Sequence, residues 1–418
     1  MILFLTIVVL IIGLLEFYCY RGLKAKWKES SNALRIITKT FFWLSLLASF
    51  GSIIALFIFG ESFEKWQRNF LFAPIMINMF IKLTFAIFLL IDDVRRLIVL
   101  LRRIFKKRAE HEVLPDFKIS RSEFLLKSGL FASLIPTISY PMGMIYGPYS
   151  YKVHAHKVKI KNLPERFHKL KIVQISDIHS GSFYDKEAVN KGIDLILSQK
   201  PDVIFFTGDL VNDSADEMKP YIDIFSRLQA PLGVYSVLGN HDYGDYGAWD
   251  DDIAKSENFE KVKHLHFELG WRLLMDEHIY LRKGDDKIAV VGVQNWGTGF
   301  HQEGDIKKAM YGCDAPVKLL LSHDPTHWDE QVKGQYPDIN ITFSGHTHGA
   351  QMGIETHGFK WSPVSLRYSK WAGLYQEEDQ YLYVNRGFGF IGYPGRIGIW
   401  PEITVMTLID DEAPVTYG

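Results

Sequence analysis

Cysteine is almost missing from this chain: 418 residues contain two, Cys19 and Cys313. Cys19 falls inside an apolar run, so a disulfide framework is excluded and the redox compartment stays open. Net charge is missing as well, since 47 Lys and Arg stand against 48 Asp and Glu. That balance implies neither a nucleic-acid footprint nor an acidic tail, and no protein partner is evident. The averages conceal an uneven chain. Long apolar runs with basic punctuation dominate residues 1–150, whereas residues 151–418 alternate short apolar strands with polar, helix-forming stretches. The second part is long enough to bury a core of its own.

Met1–Tyr20 is apolar apart from Glu16 near its end, Phe41–Gly60 carries no charge, and Phe70–Ile91 carries Lys82 alone before its end. Each approaches the roughly 20 residues that cross a bilayer core. A cleaved signal peptide accounts for one such run, not three. A fourth, after Lys127, contains Pro136 and Pro141, which membrane helices tolerate better than soluble ones do. These lengths predict a transmembrane region of three to four helices over residues 1–150. Paired charges of the kind that mark a translocation pathway are lacking, Glu16 and Lys82 being the obvious candidates.

Basic residues sort by loop. Arg21, Lys24, Lys26, Lys28 and Arg35 lie between the first two runs. Arg95, Arg96, Arg102, Arg103, Lys106, Lys107 and Arg108 follow the third. The positive-inside rule puts both clusters in the cytoplasm and the amino terminus outside. A spanning fourth run then places the second part outside the cytoplasm, and a flat one keeps it inside; spanning is the preferred expectation. Val94–Arg108 reads either as an extension of the third helix or as an interfacial helix touching anionic lipid.

From Leu170 onward strand-length runs repeat: "LKIVQISDIHSG", "DVIFFTGDLVND", "LGVYSVLGNHDY", "KIAVVGVQNWG", "VKLLLSHDP", "INITFSGHTHG", "YLYVNRGFG" and "EITVMTLI". Helix-forming stretches at Asp185–Lys200 and Glu217–Leu228 separate the early ones, which argues for α/β architecture. Five strands end in polar clusters, and four of the five clusters contain histidine. Turn chemistry explains Asp, Asn and Gly at strand ends, but not histidine. Sites assemble where the carboxyl ends of strands converge.

The clusters are Asp177-Ile178-His179, Gly208-Asp209, Gly239-Asn240-His241-Asp242, His323 and Gly345-His346-Thr347-His348. In this order they resemble the calcineurin-like metallophosphoesterase superfamily. The arrangement is similar to its membrane-attached and exported branch, which includes lipid-directed pyrophosphatases acting on UDP-2,3-diacylglucosamine. The resemblance implies a four-layer α/β/β/α sandwich over residues 151–418, preceded by the transmembrane region. Lys118–Leu134 is similar to a twin-arginine export signal, but Ser122 follows Arg121 where a second arginine belongs. Ala350 likewise stands where the family pattern has glycine.

Phosphate-ester hydrolysis needs charge neutralised on the phosphoryl oxygens and hydroxide generated near neutral pH, which two cations about 3.5–4 Å apart supply. By resemblance Asp209 bridges them, Asp177, His179 and His348 complete one site, and Asn240, His323 and His346 complete the other. Oxygen and imidazole donors without thiolate favour Mn, Fe or Zn over Mg or Ca. The resemblance makes His241 the general acid and Asp242 the carboxylate that orients its imidazole. Arg386 and Arg396, in the glycine-rich Asn385–Pro401 stretch, are candidates to hold a second phosphate. Tyr243–Phe267 is where specificity elements are expected to rise over the site. The expected function is hydrolysis of a phosphoester or pyrophosphate bond at a cell membrane, on a phosphorylated, lipid-linked substrate such as UDP-2,3-diacylglucosamine. The alternatives are an envelope phosphodiesterase or phosphomonoesterase, and a catalytically inactive membrane scaffold.

Overall fold

A computed structural model describes residues 2–27, 30–105 and 121–411. The basic residues Lys28, Lys106, Lys107 and Arg108, and the Lys118–Ser120 start of the export-signal-like segment, lie outside them. The described residues fall into two units, one within Met1–Phe63 and Gln67–Met142, the other within Glu64–Trp66 and Gly143–Gly418.

The first unit is helical: α1 (Ile2–Trp27), α2 (Asn32–Phe59), α3 (Lys65–Phe105) and α4 (Arg121–Tyr146). Ser31 caps α2 by accepting from the Leu34 N–H. Helix α3 continues without a break from the apolar run through Val94–Phe105, and α4 continues through Pro136 and Pro141. Leu47, Phe57, Phe131 and Ile145 point outward and stay exposed, an arrangement suited to lipid rather than water. Among the described residues, Asn32–Phe59 and Lys65–Arg102 are long and apolar enough to cross a membrane. The charges inside the runs do find each other, contrary to the reading of the sequence. Lys82 Nζ lies 2.8 Å from Glu16 Oε2, and Asn78 Nδ2 donates to Glu16 Oε1 at 2.6 Å. Sequence showed these residues in different runs; packing α1 against α3 pairs them, because a lone charge in an apolar bundle is costly.

The second unit is built on strands: β1 (Lys152–Ile160), β2 (Lys171–Ile175), β3 (Val203–Phe206), β4 (Val234–Ser236), β5 (Arg272–Leu273), β6 (Glu277–Lys283), β7 (Asp286–Gly292), β8 (Lys318–Leu321), β9 (Ile341–Ser344), β10 (Ile354–Thr356), β11 (Phe359–Trp361), β12 (Gly373–Glu377), β13 (Gln380–Val384) and β14 (Glu402–Asp410). One sheet orders them β1-β14-β2-β3-β4-β5, the other β12-β13-β9-β8-β7-β6, and β10 with β11 forms a separate hairpin. Helices α5 (Lys186–Ser198), α6 (Ile222–Phe225), α7 (Asp252–Glu268) and α8 (Ile306–Met310) complete the unit.

Alternation along the strands sorts the layers. Ile172, Val203 and Phe205 of the first sheet pack with Leu319, Leu321, Ile341 and Phe343 of the second. Their neighbours Val173, Ile204 and Phe206 face the other way, onto Val189 and Ile193 of α5 and Val262 and Leu265 of α7. On the far side of the second sheet, Val291 and Leu320 pack on Ile306 and Ala309 of α8 and on Trp328. The result is the expected four-layer α/β/β/α sandwich. Strands β2, β3 and β4 are mutually parallel, as are β7, β8 and β9, so their carboxyl ends gather the loops that follow them.

Two stretches differ from expectation. Glu217–Leu228 is not one helix: a 3-10 segment at Ala215–Tyr221 precedes the short α6. Pro220 lacks the N–H that an α-helix needs there. Tyr243–Phe267 is mostly α7, whose Val262 and Leu265 are buried in the core, and only the start of the stretch, at Tyr246, reaches the strand-end motifs.

Candidate metal centre

Three of the five strand-end motifs occupy turns whose backbone is bent out of the usual range. Asp177, His179, Asp209, His346 and His348 all have left-handed φ, between 48° and 71°. Such conformations are uncommon for residues with a Cβ and persist where surrounding structure enforces them. The neighbouring glycines explain the enforcement. A Cβ on Gly345 would lie 1.9 Å from Ser176 Oγ and 2.2 Å from Asp177 Oδ2, and one on Gly239 would lie 2.2 Å from Asp209 Oδ1. Only glycine lets these loops approach so closely.

The loops converge on two groups of ligand-type atoms. Asp177, His179 and His348 form one, Asp209, His323 and His346 the other. In the first, His179 Nε2 and His348 Nε2 are 3.0 Å apart, with Asp177 Oδ1 3.2 Å from the latter. In the second, His323 Nε2 lies 3.1 Å from Asp209 Oδ2 and 3.3 Å from His346 Nδ1. Asn240 Oδ1 stands 2.8 Å from that same Nδ1. Asp209 Oδ2 is also 3.5 Å from His179 Nε2, so this carboxylate stands between the groups.

Donor accounting tests whether cations fit. His323 Nδ1 is 2.7 Å from the Thr207 carbonyl and must carry its proton there, leaving Nε2 a bare lone pair aimed at a carboxylate. His346 Nε2 faces the Tyr368 hydroxyl at 2.9 Å and Asp324 Oδ2 at 3.4 Å; in the tautomer with its proton on that side, Nδ1 is bare toward Asn240 Oδ1. Acceptors confronting acceptors in a buried site require a positive charge among them. Burial alone would lower His323, yet the Asp209 and Asp177 carboxylates lift it to about 10. A proton thus substitutes for a cation. The second group fits a divalent ion, and Asp177, His179 and His348 gather the same kinds of ligand atom on the other side of Asp209.

His241 stands beside the groups. Its Nδ1 is 2.8 Å from the Asn212 carbonyl, which fixes that nitrogen as the donor and leaves Nε2 free. Tyr246 packs against one face of the ring with centroids 4.4 Å apart, and His179 meets it edge-on at 4.9 Å. Asp242 does not orient this imidazole, against expectation. Its carboxylate accepts from the backbone N–H groups of Asp209, Leu210, Val211 and Gly239 at 2.8–3.3 Å. Burial and the nearby Asp209 charge raise Asp242 to about 7. It shapes the Gly208-Asp209 turn, and a main-chain carbonyl does the orienting.

Arg386 and Arg396 are corrected as well. Arg386 is buried between Glu355 and Glu402, donating to both. That cation outweighs burial and holds Glu402 at about 2. Arg396 is fully buried, donates to the Gly387 and Gly389 carbonyls, and stands 3.4 Å from His348 Nδ1. Neither guanidinium is exposed to an incoming phosphate.

Tyr246 lies in the Tyr243–Phe267 stretch expected at the site, whereas Asp324, Tyr368 and Phe300 carry no motif of their own. Asp324 was adjacent to a motif histidine, a usable signal. The Thr207 and Asn212 carbonyls had none, since every residue has a carbonyl.

The family model for the calcineurin-like phosphoesterase transmembrane domain matches residues 1–148, and that for calcineurin-like phosphoesterase matches residues 170–350. The chain is 30% identical over 301 residues to the metallophosphoesterase YkuE of Bacillus subtilis, covering 70% of this chain and 98% of that protein. It is 31% identical over 287 residues to the bovine transmembrane protein with metallophosphoesterase domain, covering 66% of this chain and 61% of the bovine one. It is 29% identical over 282 residues to the UDP-2,3-diacylglucosamine pyrophosphatase LpxG of Chlamydia trachomatis, covering 54% of this chain and 81% of that protein. With its membrane helices, its two-sheet sandwich and its paired donor groups, the chain belongs to the calcineurin-like metallophosphoesterase family, whose members are metal-dependent hydrolases.

Proposed function

We propose that this chain is a multi-pass membrane phosphoesterase that cleaves a phosphoester or pyrophosphate bond of a lipid-linked substrate with two bound cations. The observation that carries the reading is the convergence of carboxylate, amide and imidazole ligand groups on both sides of Asp209, with His241 alongside. Asp177, His179 and His348 would hold one ion, Asn240, His323 and His346 the other, and Asp209 would serve both. Bound there, two divalent ions supply charge neutralisation for the phosphoryl oxygens and a hydroxide nucleophile near neutral pH. Mn, Fe or Zn suit the donor set. His241 keeps its Nδ1–H on the Asn212 carbonyl and turns Nε2 outward, so that in its doubly protonated form the ring would give the Nε2 proton to the departing oxygen.

Three observations support a lipid-linked substrate. The chain carries a membrane domain, a relative acts on UDP-2,3-diacylglucosamine, and the β10–β11 hairpin leaves Ile354, Phe359 and Trp361 exposed. That hairpin is tied to the site, because Ser362 just after it donates to the Gly349 carbonyl beside His348 at 2.7 Å. The membrane region is proposed as residues 1–150 and the catalytic region as 151–418. The Arg121–Tyr146 helix is long enough for a fourth span although less apolar than Asn32–Phe59 and Lys65–Arg102, and as a span it would put the catalytic region outside the cytoplasm.

The test is the purified chain in detergent. Two cations per chain and manganese-stimulated hydrolysis of bis(p-nitrophenyl) phosphate are expected. A folded sample with neither metal nor activity leaves the scaffold reading standing instead. Protease accessibility in intact cells decides the orientation.

A further inference from the structure

With Arg386 and Arg396 enclosed, the rim of the site presents a different guanidinium. Arg367 follows the Pro363–Leu366 turn and is exposed. Its Cζ lies 4.9 Å from the Phe300 ring centre and 5.3 Å from that of Tyr368. Both rings touch His346: Phe300 edge-on at 4.7 Å, Tyr368 through its hydroxyl at 2.9 Å from Nε2. The guanidinium is therefore one aromatic ring away from an imidazole of the second donor group. Among the described residues no carboxylate lies within ion-pair distance of it.

An arginine resting on aromatic faces is held by its plane, while its N–H edge stays free. That edge matches two oxygens of a phosphate at once. A charged group attached next to the scissile phosphorus needs its own counter-ion, since the two cations attend to the reacting phosphoryl. We propose that Arg367 forms a subsite for a second phosphoryl group, so that the chain prefers diphosphate-linked substrates to simple phosphodiesters. This deepens the functional reading above and rests on it.

The experiment compares bis(p-nitrophenyl) phosphate, which has one phosphoryl group, with ADP-ribose, which has two. It uses the manganese-loaded full chain and its Arg367→Ala and Arg367→Lys variants. Arg367→Ala is expected to lower kcat/KM for ADP-ribose about tenfold more than for the diester, mainly through KM. Competitive inhibition by ADP should weaken about tenfold relative to inhibition by AMP. Arg367→Lys, which keeps the charge but loses the fork, should restore part of both. Melting temperatures of the variants report folding separately.

Equal losses on both substrates, or an unchanged preference for ADP over AMP, overturn the subsite. So does a wild-type chain that cleaves the diester and ignores ADP-ribose. A wild-type chain that cleaves neither sinks the phosphoesterase reading itself, and the subsite with it.

Discussion

His346 and His348 stand two residues apart in one loop, yet opposite charges lie behind their rings. Behind His346 are the Asp324 carboxylate at 3.4 Å and the Tyr368 hydroxyl at 2.9 Å. Behind His348 is the Arg396 guanidinium, 3.4 Å from Nδ1. The difference extends to their partners. His323 Nδ1 has the Thr207 carbonyl, whereas His179 Nδ1 is buried with no hydrogen-bond partner among the described residues. A histidine that ligates a metal through one nitrogen holds the proton on the other best against an acceptor. Arginine has none to offer. The second donor group is thus braced by acceptors that the first lacks behind its histidines, while left-handed backbone occurs in both. The same residue types should bind cations unequally when their outer neighbours differ.

Asp209 unites what this comparison divides. Asp209→Asn removes the shared carboxylate, so turnover should fall by more than about a thousandfold, with metal content dropping below two per chain. Elemental analysis of the purified variant checks this; two retained cations would mean that the groups do not share Asp209. His241→Ala sharpens the point from outside. Its loss should cut turnover by about 10²–10⁴ while both cations stay bound. Loss of metal in that variant would contradict its role as proton donor.

Much of this was legible in the sequence because histidine at strand ends has no structural excuse. Asp177, His179, Asp209, Asn240, His323, His346 and His348 follow from motif order and the resemblance it carries, which also implies the four layers, while alternating strands and helices give the α/β class. What failed did so for spatial reasons. Arg386 looked free because its partners are Glu355, 31 residues before it, and Glu402, 16 after it. Asp242 looked like an orienting carboxylate because it follows His241, yet its oxygens turn back to the Gly208-Asp209 turn. Strand β1 ("KVHAHKVKI") escaped notice because it is a largely exposed edge strand, where basic and histidine residues replace an apolar face.

The asymmetry itself can be broken by charge. In graded chelation the first group should release its cation before the second, over a difference of about 10–100-fold in chelator. Asp324→Asn keeps the size of the side chain and removes the negative charge behind His346. It should weaken the second site by about 10–100-fold, bringing the two release steps together. Calorimetric titration of manganese into the stripped chain reads both steps. Two steps that never separate, in the wild type or the variant, would show that Asp324 does nothing for His346.

The smallest effect probes the backbone strain next to the first group. Ala350, two residues beyond His348, has φ of 51° and ψ of 16°. A residue with a Cβ costs about 1–2 kcal/mol there relative to glycine. Glycine gives back about 0.4–1 kcal/mol through a more flexible unfolded chain. Ala350→Gly should therefore stabilise by about 0.5 kcal/mol, a rise in Tm of roughly 1–2 °C by calorimetry. If backbone tension rather than outer hydrogen bonds positions His348, relaxing it should also loosen the first cation slightly while leaving the second alone. A Tm that falls would mean the Ala350 methyl makes packing contacts worth more than the strain it imposes.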